Sequence, residues 1–278
     1  MKKQLIKITT FVLLLVPILA FAAKDETQWN NVLKNQFFSG KSIQESNHII
    51  EISAPYRAED PALVPIKIIS KIKQTKSNYI KKITVLVDKN PFPFVGEFEF
   101  TPETGKADLA MRVRVNTYSY IRAIAEMNDG RLIMTKQFVK ASGGCSAPIG
   151  ADLDAAMKRL GKMKFKILDK NNKVGEPVLT QLLISHPNIT GMQMDQVTRF
   201  IKKSHFVDQL TVTFDDKLVL KAKIDIAISA DPNFRFYFVP NKKGTLYAEF
   251  TDISCESPTS RDACAEGKRY SMSQTIEP

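Results

Sequence analysis

Leu109, Met111, Val113 and Val115 alternate with Ala110, Arg112 and Arg114, and Phe98 and Phe100 alternate with Glu97 and Glu99 after Gly96. A period of two sends successive side chains to opposite faces of a strand. Repeated over several segments, it predicts antiparallel sheet with one face in water. Residues 48–52, 63–69 and 80–87 read as further strands, the first two separated by a loop holding Pro55 and Pro61, the third closed by the turn Asp88-Lys89-Asn90-Pro91. Residues 118–127 and 131–139 flank Asn128-Asp129-Gly130, a hairpin whose Asp-Gly supplies the positive backbone angles such turns require.

The second half repeats the style without repeating the sequence. Strands are predicted over 163–168, 178–184, 209–214, 218–228, 234–239 and 245–253, with Asp215-Asp216-Lys217 turning between two of them. Phe234, Phe236 and Phe238 alternate with Arg235 and Tyr237 as in a half-buried strand. Only two stretches carry helical spacing. Trp29, Val32, Leu33 and Phe37 fit one face of a short helix, with Trp29 a core anchor, and Leu153, Ala156, Met157 and Leu160 fit another that Asp152 could cap and Gly161 end. The pattern predicts an all-β chain of two sandwiches, 23–141 and 163–278, joined by an arm and a short linker helix over 142–162.

The first 22 residues stand apart from this pattern. A basic start, an apolar run from Phe11 to Phe21 and the small-x-small exit Ala20-Phe21-Ala22 describe a cleaved signal peptide, too short to span a membrane. No later stretch is apolar enough to insert, so the mature chain is expected in the periplasm. The formal charge of +11 loses three lysines with that segment. A basic surface can mean nucleic acid, but export and the lack of arginines interleaved with aromatics argue against it. Lys71, Lys73, Lys76, Lys81 and Lys82 read as a solvated face.

Cysteine usage is more pointed. Cys255 and Cys264, nine residues apart in a polar segment, would close a small loop in an oxidising compartment. Cys145 is left unpaired within Lys140-Ala141-Ser142-Gly143-Gly144-Cys145-Ser146-Ala147-Pro148. Gly143 and Gly144 carry no steric penalty for unusual angles, so the segment is predicted to be a mobile arm giving the thiol reach. Lys140 is close enough in sequence to favour a thiolate or an anionic adduct. An enzyme would need a fixed base and an oxyanion site around the thiol, and flanking glycines oppose that preorganisation. A carrier needs reach instead.

Other chemistry is sparse. His48, His186 and His205 lie far apart with no metal-ligand spacing, and no nucleophile elbow, zinc-protease, phosphate-loop, dinucleotide or C-x-x-C motif occurs. Glu97 and Glu99 read as a solvated strand face, and Asn188-Ile189-Thr190 as a chance glycosylation tripeptide. No cofactor or metal is predicted.

The chain resembles the sulfur-oxidation carriers SoxY and SoxZ joined in one polypeptide. The SoxY resemblance rests on Gly143-Gly144-Cys145, where the family's Gly-Gly-Cys-Gly-Gly tail has two further glycines in place of Ser146-Ala147. The SoxZ resemblance rests on Ile184-Ser185-His186-Pro187 with Thr190-Gly191, then His205-Phe206-Val207. It is nearest to fused carriers that accompany quinoprotein dehydrogenases. The resemblance implies two immunoglobulin-like sandwiches and a carrier with no catalysis of its own. It also implies a Cys145 thiolate that holds sulfane sulfur or thiosulfate covalently for periplasmic oxidising enzymes or cytochromes. Two other readings are an assembly module for a quinoprotein dehydrogenase with an incidental thiol, and a thiol enzyme, for which no base or resolving cysteine is apparent near Cys145.

Overall fold

The computed structural model describes residues 25–148, 153–169, 173–259 and 263–277. The predicted export segment and the Asp152 cap lie outside them. The first half contributes β1 (Ile43–Glu45), β2 (Ile50–Ser53), β3 (Val64–Ser70), β4 (Ile80–Val87), β5 (Phe94–Phe100), β6 (Leu109–Val113), β7 (Ser119–Met127) and β8 (Leu132–Val139). The second contributes β9 (Met163–Ile167), β10 (Val178–Ile184), β11 (Ser204–Phe214), β12 (Lys217–Ile224), β13 (Asn233–Phe238), β14 (Gly244–Cys255) and β15 (Ala265–Ile276). Among the described residues helix is confined to a π-type turn at Trp29–Leu33 running into α1 (Lys34–Phe38), a 3-10 turn at Pro102–Thr104, and α2 (Leu153–Lys158).

The strands form two sheets, and both run through both halves. One has the order β1-β8-β7-β4-β5-β12-β11-β14-β15, the other β2-β3-β6-β13-β10-β9. The first crosses from half to half where β5 pairs antiparallel with β12, from Gly96 opposite Ile224 to Phe100 opposite Leu220. The second crosses at β6 and β13 through the single pair Ala110–Arg235, with a further bridge between Val113 and Ile228. The inward side chains of the alternating strands therefore fill one core that includes Phe98, Val113 and Ile121 from the first half and Phe234, Leu220 and Phe250 from the second. The aromatic rings of Phe98 and Phe234 meet across the seam at 6.1 Å.

A smaller apolar cluster lies under the N-terminal turns, where Trp29, Leu33 and Phe38 pack on Leu86, Ile124, Leu132 and Met134. Val32, expected on that face, is exposed instead. Beside Trp29 the fully buried Arg122 forms a bidentate pair with Asp88 and reaches Glu26, its guanidinium 4.5 Å above the indole ring. This pair pins the turns to β4 and β7. α2 forms where the spacing predicts it but ends at Lys158, short of Leu160, and no residue of it is buried, Met157 being exposed. Gly161 then turns the chain at φ +84 against the ring of Tyr270, a conformation and a space that suit only glycine.

At the seam, a Cβ on Gly96 would lie 2.9 Å from both the Ile224 side chain and the Lys223 carbonyl. Gly96→Val should therefore force the two halves apart and destabilise the fold by about 1–3 kcal/mol. Chemical denaturation would show this, and an unchanged midpoint would mean that β5 and β12 do not depend on close contact there.

Candidate functional site

Cys145 is the one free cysteine, because Cys255 and Cys264 are bonded to each other. β8 carries the chain towards it, and Lys140 still pairs with the first half by donating its N–H to Tyr56 O at 2.7 Å. The segment that glycine content predicts to be mobile lies docked in a groove between the halves. Gly143 N–H donates to Asn116 O at 2.8 Å, Gly144 N–H to Val115 O at 3.2 Å, and Cys145 N–H to Asn116 Oδ1 at 3.4 Å. From the second half, Thr190 Oγ1 donates to Cys145 O at 2.7 Å and Gln193 Nε2 to Ala147 O at 2.8 Å. Cys145 is left 2% exposed.

The two glycines serve this docking in different ways. Gly143 has φ +80 with open space around its missing Cβ, so it supplies a left-handed turn. At Gly144 a Cβ would sit 2.1 Å from Pro61 O and 2.6 Å from Val115 O, so only a bare backbone can enter the groove. The prediction of reach is thus corrected for this conformation: the pair makes a close fit possible.

Under the arm lies Arg114, 3% exposed. Its Nη1 donates to Gly144 O at 3.2 Å and its Nη2 to Asn188 O at 3.3 Å, while Nε has no partner. One guanidinium so joins β6, the arm and the loop after β10. Burial pushes the Cys145 thiol up to about 11, and the Arg114 charge only partly offsets it. The docked thiol is protonated at neutral pH. Lys140, expected to supply the nearby charge, instead lies over the rings of Tyr56 and Tyr118, at 4.9 and 5.9 Å. Sequence reading missed Arg114 because alternation along β6 places it with Arg112 on the wet face. That face is covered only where the second half meets it.

The Asn188-Ile189-Thr190 tripeptide is a buried structural loop. Asn188 Nδ2 donates to Ile228 O and Ser229 O, and its Oδ1 accepts the Val207 N–H. The loop packs on the disulfide segment, where a Cβ on Gly191 would come within 2.7 Å of Pro258. At the start of this loop, two of the histidines that lie far apart in sequence come together, their rings 4.7 Å apart, while His48 is exposed elsewhere. His186 and His205 both face Asp252 Oδ2, at 3.4 and 3.0 Å. Their ligand atoms are compact enough for a cation. However, His186 Nδ1 accepts the Asn188 N–H at 3.0 Å, so its Nε2 carries the proton and has no lone pair to offer. The three side chains brace β11 and β14 against the loop that clasps Cys145.

Burial disfavours the charged form of Asp252, but the two imidazoles and the Lys268 N–H outweigh it and hold the carboxyl well below its usual range. Burial pushes His186 below the ordinary 6.5.

Family profiles match both halves. The profile described as sulfur oxidation protein SoxY covers residues 34–145, ending on Cys145 itself, and that described as sulphur oxidation protein SoxZ covers residues 165–262. No curated protein matches the sequence. Among solved structures, a superoxide reductase (neelaredoxin) from Ignicoccus hospitalis is 17% identical, with 34% of this chain and 80% of that one covered, at a TM-score of 0.31. A putative superoxide reductase from Thermotoga maritima is 21% identical over 35% of this chain and 92% of its own, also at 0.31. A β-glycosidase from Bacteroides vulgatus is 9% identical over 82% of this chain and 25% of its own, at 0.23. Likenesses this slight carry no argument about this chain.

Two outcomes follow from the site. Thr190→Val removes the hydroxyl that clasps Cys145 O, a hydrogen bond worth about 1–2 kcal/mol, so iodoacetamide should label Cys145 roughly five to thirty times faster. Gly144→Ala, which cannot fit the groove, should expose the thiol further, and labelling at the wild-type rate in both variants would show that docking does not guard it. The second concerns pH. His186 takes up its proton less readily folded than unfolded, so its contribution is present above pH 6.5 and is lost as pH falls through its lowered folded value. Asp252 adds a loss in the same direction at more acidic pH. Thermal stability should decline from pH 7 to 5, and less so in His186→Gln; equal slopes would remove His186 from the account.

Proposed function

The chain belongs to the SoxYZ family of sulfur-oxidation carriers, with both carrier halves in one polypeptide, and we propose that it holds a sulfur compound covalently on the Cys145 thiol for partner enzymes. The observation that carries this reading is the placement of the one free thiol. It ends the SoxY-like half, on a short arm attached by a handful of hydrogen bonds and by burial of no side chain larger than cysteine itself. Among the described residues no base is seated against the thiol: the charge that acts on it is that of Arg114, which can neither accept a proton nor activate water.

Chemistry and burial then divide the work between two positions of the arm. Docked, the thiol is protonated and screened from oxidants that attack thiolates. Undocked, it escapes the burial that raises its pKa and returns towards the ordinary thiol range, where a useful thiolate fraction exists at neutral pH. Loading thiosulfate as Cys–S–S–SO3⁻ releases the thiol proton and two electrons, which a partner cytochrome would accept. Sulfane sulfur taken from a donor disulfide-like bond needs only exchange at sulfur. The exported, periplasmic location of the family's proteins suits such partners, and the signal-peptide reading of residues 1–22 agrees with it. Neither profile match bears on a quinoprotein dehydrogenase.

Intact-mass measurement of the protein from cells oxidising sulfur compounds tests the reading. The wild type should carry a reductant-labile addition on the Cys145 peptide, and Cys145→Ser should fold normally without it. Retention of the added mass by the serine variant, or a bare and readily alkylated Cys145 in those cells, would overturn the proposal.

A further inference from the structure

We infer that the hairpin 192–203, with the tyrosines beside Lys140, is the surface on which a sulfur-processing enzyme with an acidic rim around an apolar face docks to receive Cys145; the inference rests on the carrier reading. Large exposed apolar side chains concentrate around the docked arm. Val197 is 90% exposed and Phe200 77%, with Ile201 and Met194 beside them. On the other side of the groove Tyr56 and Tyr118 are half exposed. Both groups are tied directly to the arm. Gln193, at the base of the hairpin, bonds Ala147 O, and Tyr56 O accepts the N–H of Lys140, where the arm begins.

The hairpin is ordered by its own backbone, not by packing of its apolar tip. Asp195 N–H donates to Phe200 O, Arg199 N–H to Asp195 O, and Lys202 N–H to Gln193 O, while Asp195 Oδ1 accepts the N–H groups of Val197 and Thr198. Arg199 holds a left-handed φ of +64, a conformation that costs a side-chain-bearing residue energy. A hydrogen-bonded loop that spends strain to hold Val197 and Phe200 in water has the make-up of a protein interface, where apolar, aromatic, Met and Arg side chains concentrate. Charge indicates the partner. Lys202 pairs with Asp195 and Lys203 with Glu256, which leaves Arg199 in the hairpin and Lys140 across the groove as cations without an acidic partner among the described residues. A basic rim around an apolar centre is complemented by an acidic rim around an apolar face, and such pairing speeds encounter at low salt.

The experiment uses protein loaded at Cys145 with tetrathionate. The thiolate attacks an inner sulfur, forming Cys–S–S–SO3⁻ and releasing thiosulfate, so electrons balance without another oxidant. Loaded wild type and the Val197→Asp/Phe200→Asp double variant are then incubated with the periplasmic fraction of sulfur-oxidising cells, and adduct turnover is followed by intact mass. Both substituted positions are exposed, so the variant should fold and its free thiol should alkylate at the wild-type rate. We expect turnover to be at least about tenfold slower in the variant, and turnover of the wild type to fall as salt rises. Equal turnover of both proteins would overturn the docking surface while leaving the carrier reading intact, and salt-independent turnover would overturn the acidic partner. An adduct on wild type that no periplasmic component processes would overturn both readings. Sedimentation of the wild type provides the last outcome: self-association abolished by the double variant would assign the surface to a second copy of the chain instead.

Discussion

Everything around Cys145 depends on the burial of one cation, Arg114. Removing a guanidinium from water costs several kcal/mol unless acceptors surround it. Here the acceptors are carbonyls, Gly144 O from the arm and Asn188 O from the second half, and no carboxylate among the described residues bonds it, Asp60 acting on it only through space. Carbonyl oxygens satisfy a cation without neutralising it. The seam therefore keeps a guanidinium charge acting on a sulfur atom, and the backbone around it is held to supply those oxygens. Asn90 adds to this by donating to Arg114 O and accepting the Asn116 N–H, which in turn sets the residue that anchors the arm.

That arrangement balances two opposing effects on the thiol. Proximity of Arg114 favours the thiolate, but desolvation of the sulfur is larger, so the docked cysteine stays protonated despite its charged neighbour. Burial is the larger of the two. Any movement that lets water reach the sulfur removes the larger effect, so access and reactivity rise together. The arm is held by individually modest hydrogen bonds, each of about 1 kcal/mol, and by burial of the small Cys145 side chain.

The strands were legible because each has a face in the core, and alternation of Phe98 with Glu97 or of Phe234 with Arg235 reports that directly. β15 was missed because it is an edge strand exposed over its first five residues, and only Tyr270, Met272, Gln274 and Ile276 turn inwards, too sparse an apolar set to stand out in the sequence. β1, three residues long, carries no period at all. The site was legible as a thiol between glycines, but not as a docked one, because glycine composition reports what a backbone is free to do and not what surrounds it. Gly144 is constrained by Pro61 O, eighty-three residues earlier, and Cys145 by Thr190, forty-five residues later. Arg114 and the His186–Asp252–His205 brace are likewise products of long-range packing that local pattern cannot see.

The shared sheet at β5 and β12 has a further consequence. Where two such halves are separate chains, their pairing depends on concentration and any carrier half can exchange partners. Linked through residues 142–162, each half meets the other at an effective concentration that a short tether raises to the order of millimolar. Stoichiometry is then fixed at one to one by translation, dilution cannot dissociate the pair, and Cys145 is never without the half whose Thr190 clasps it.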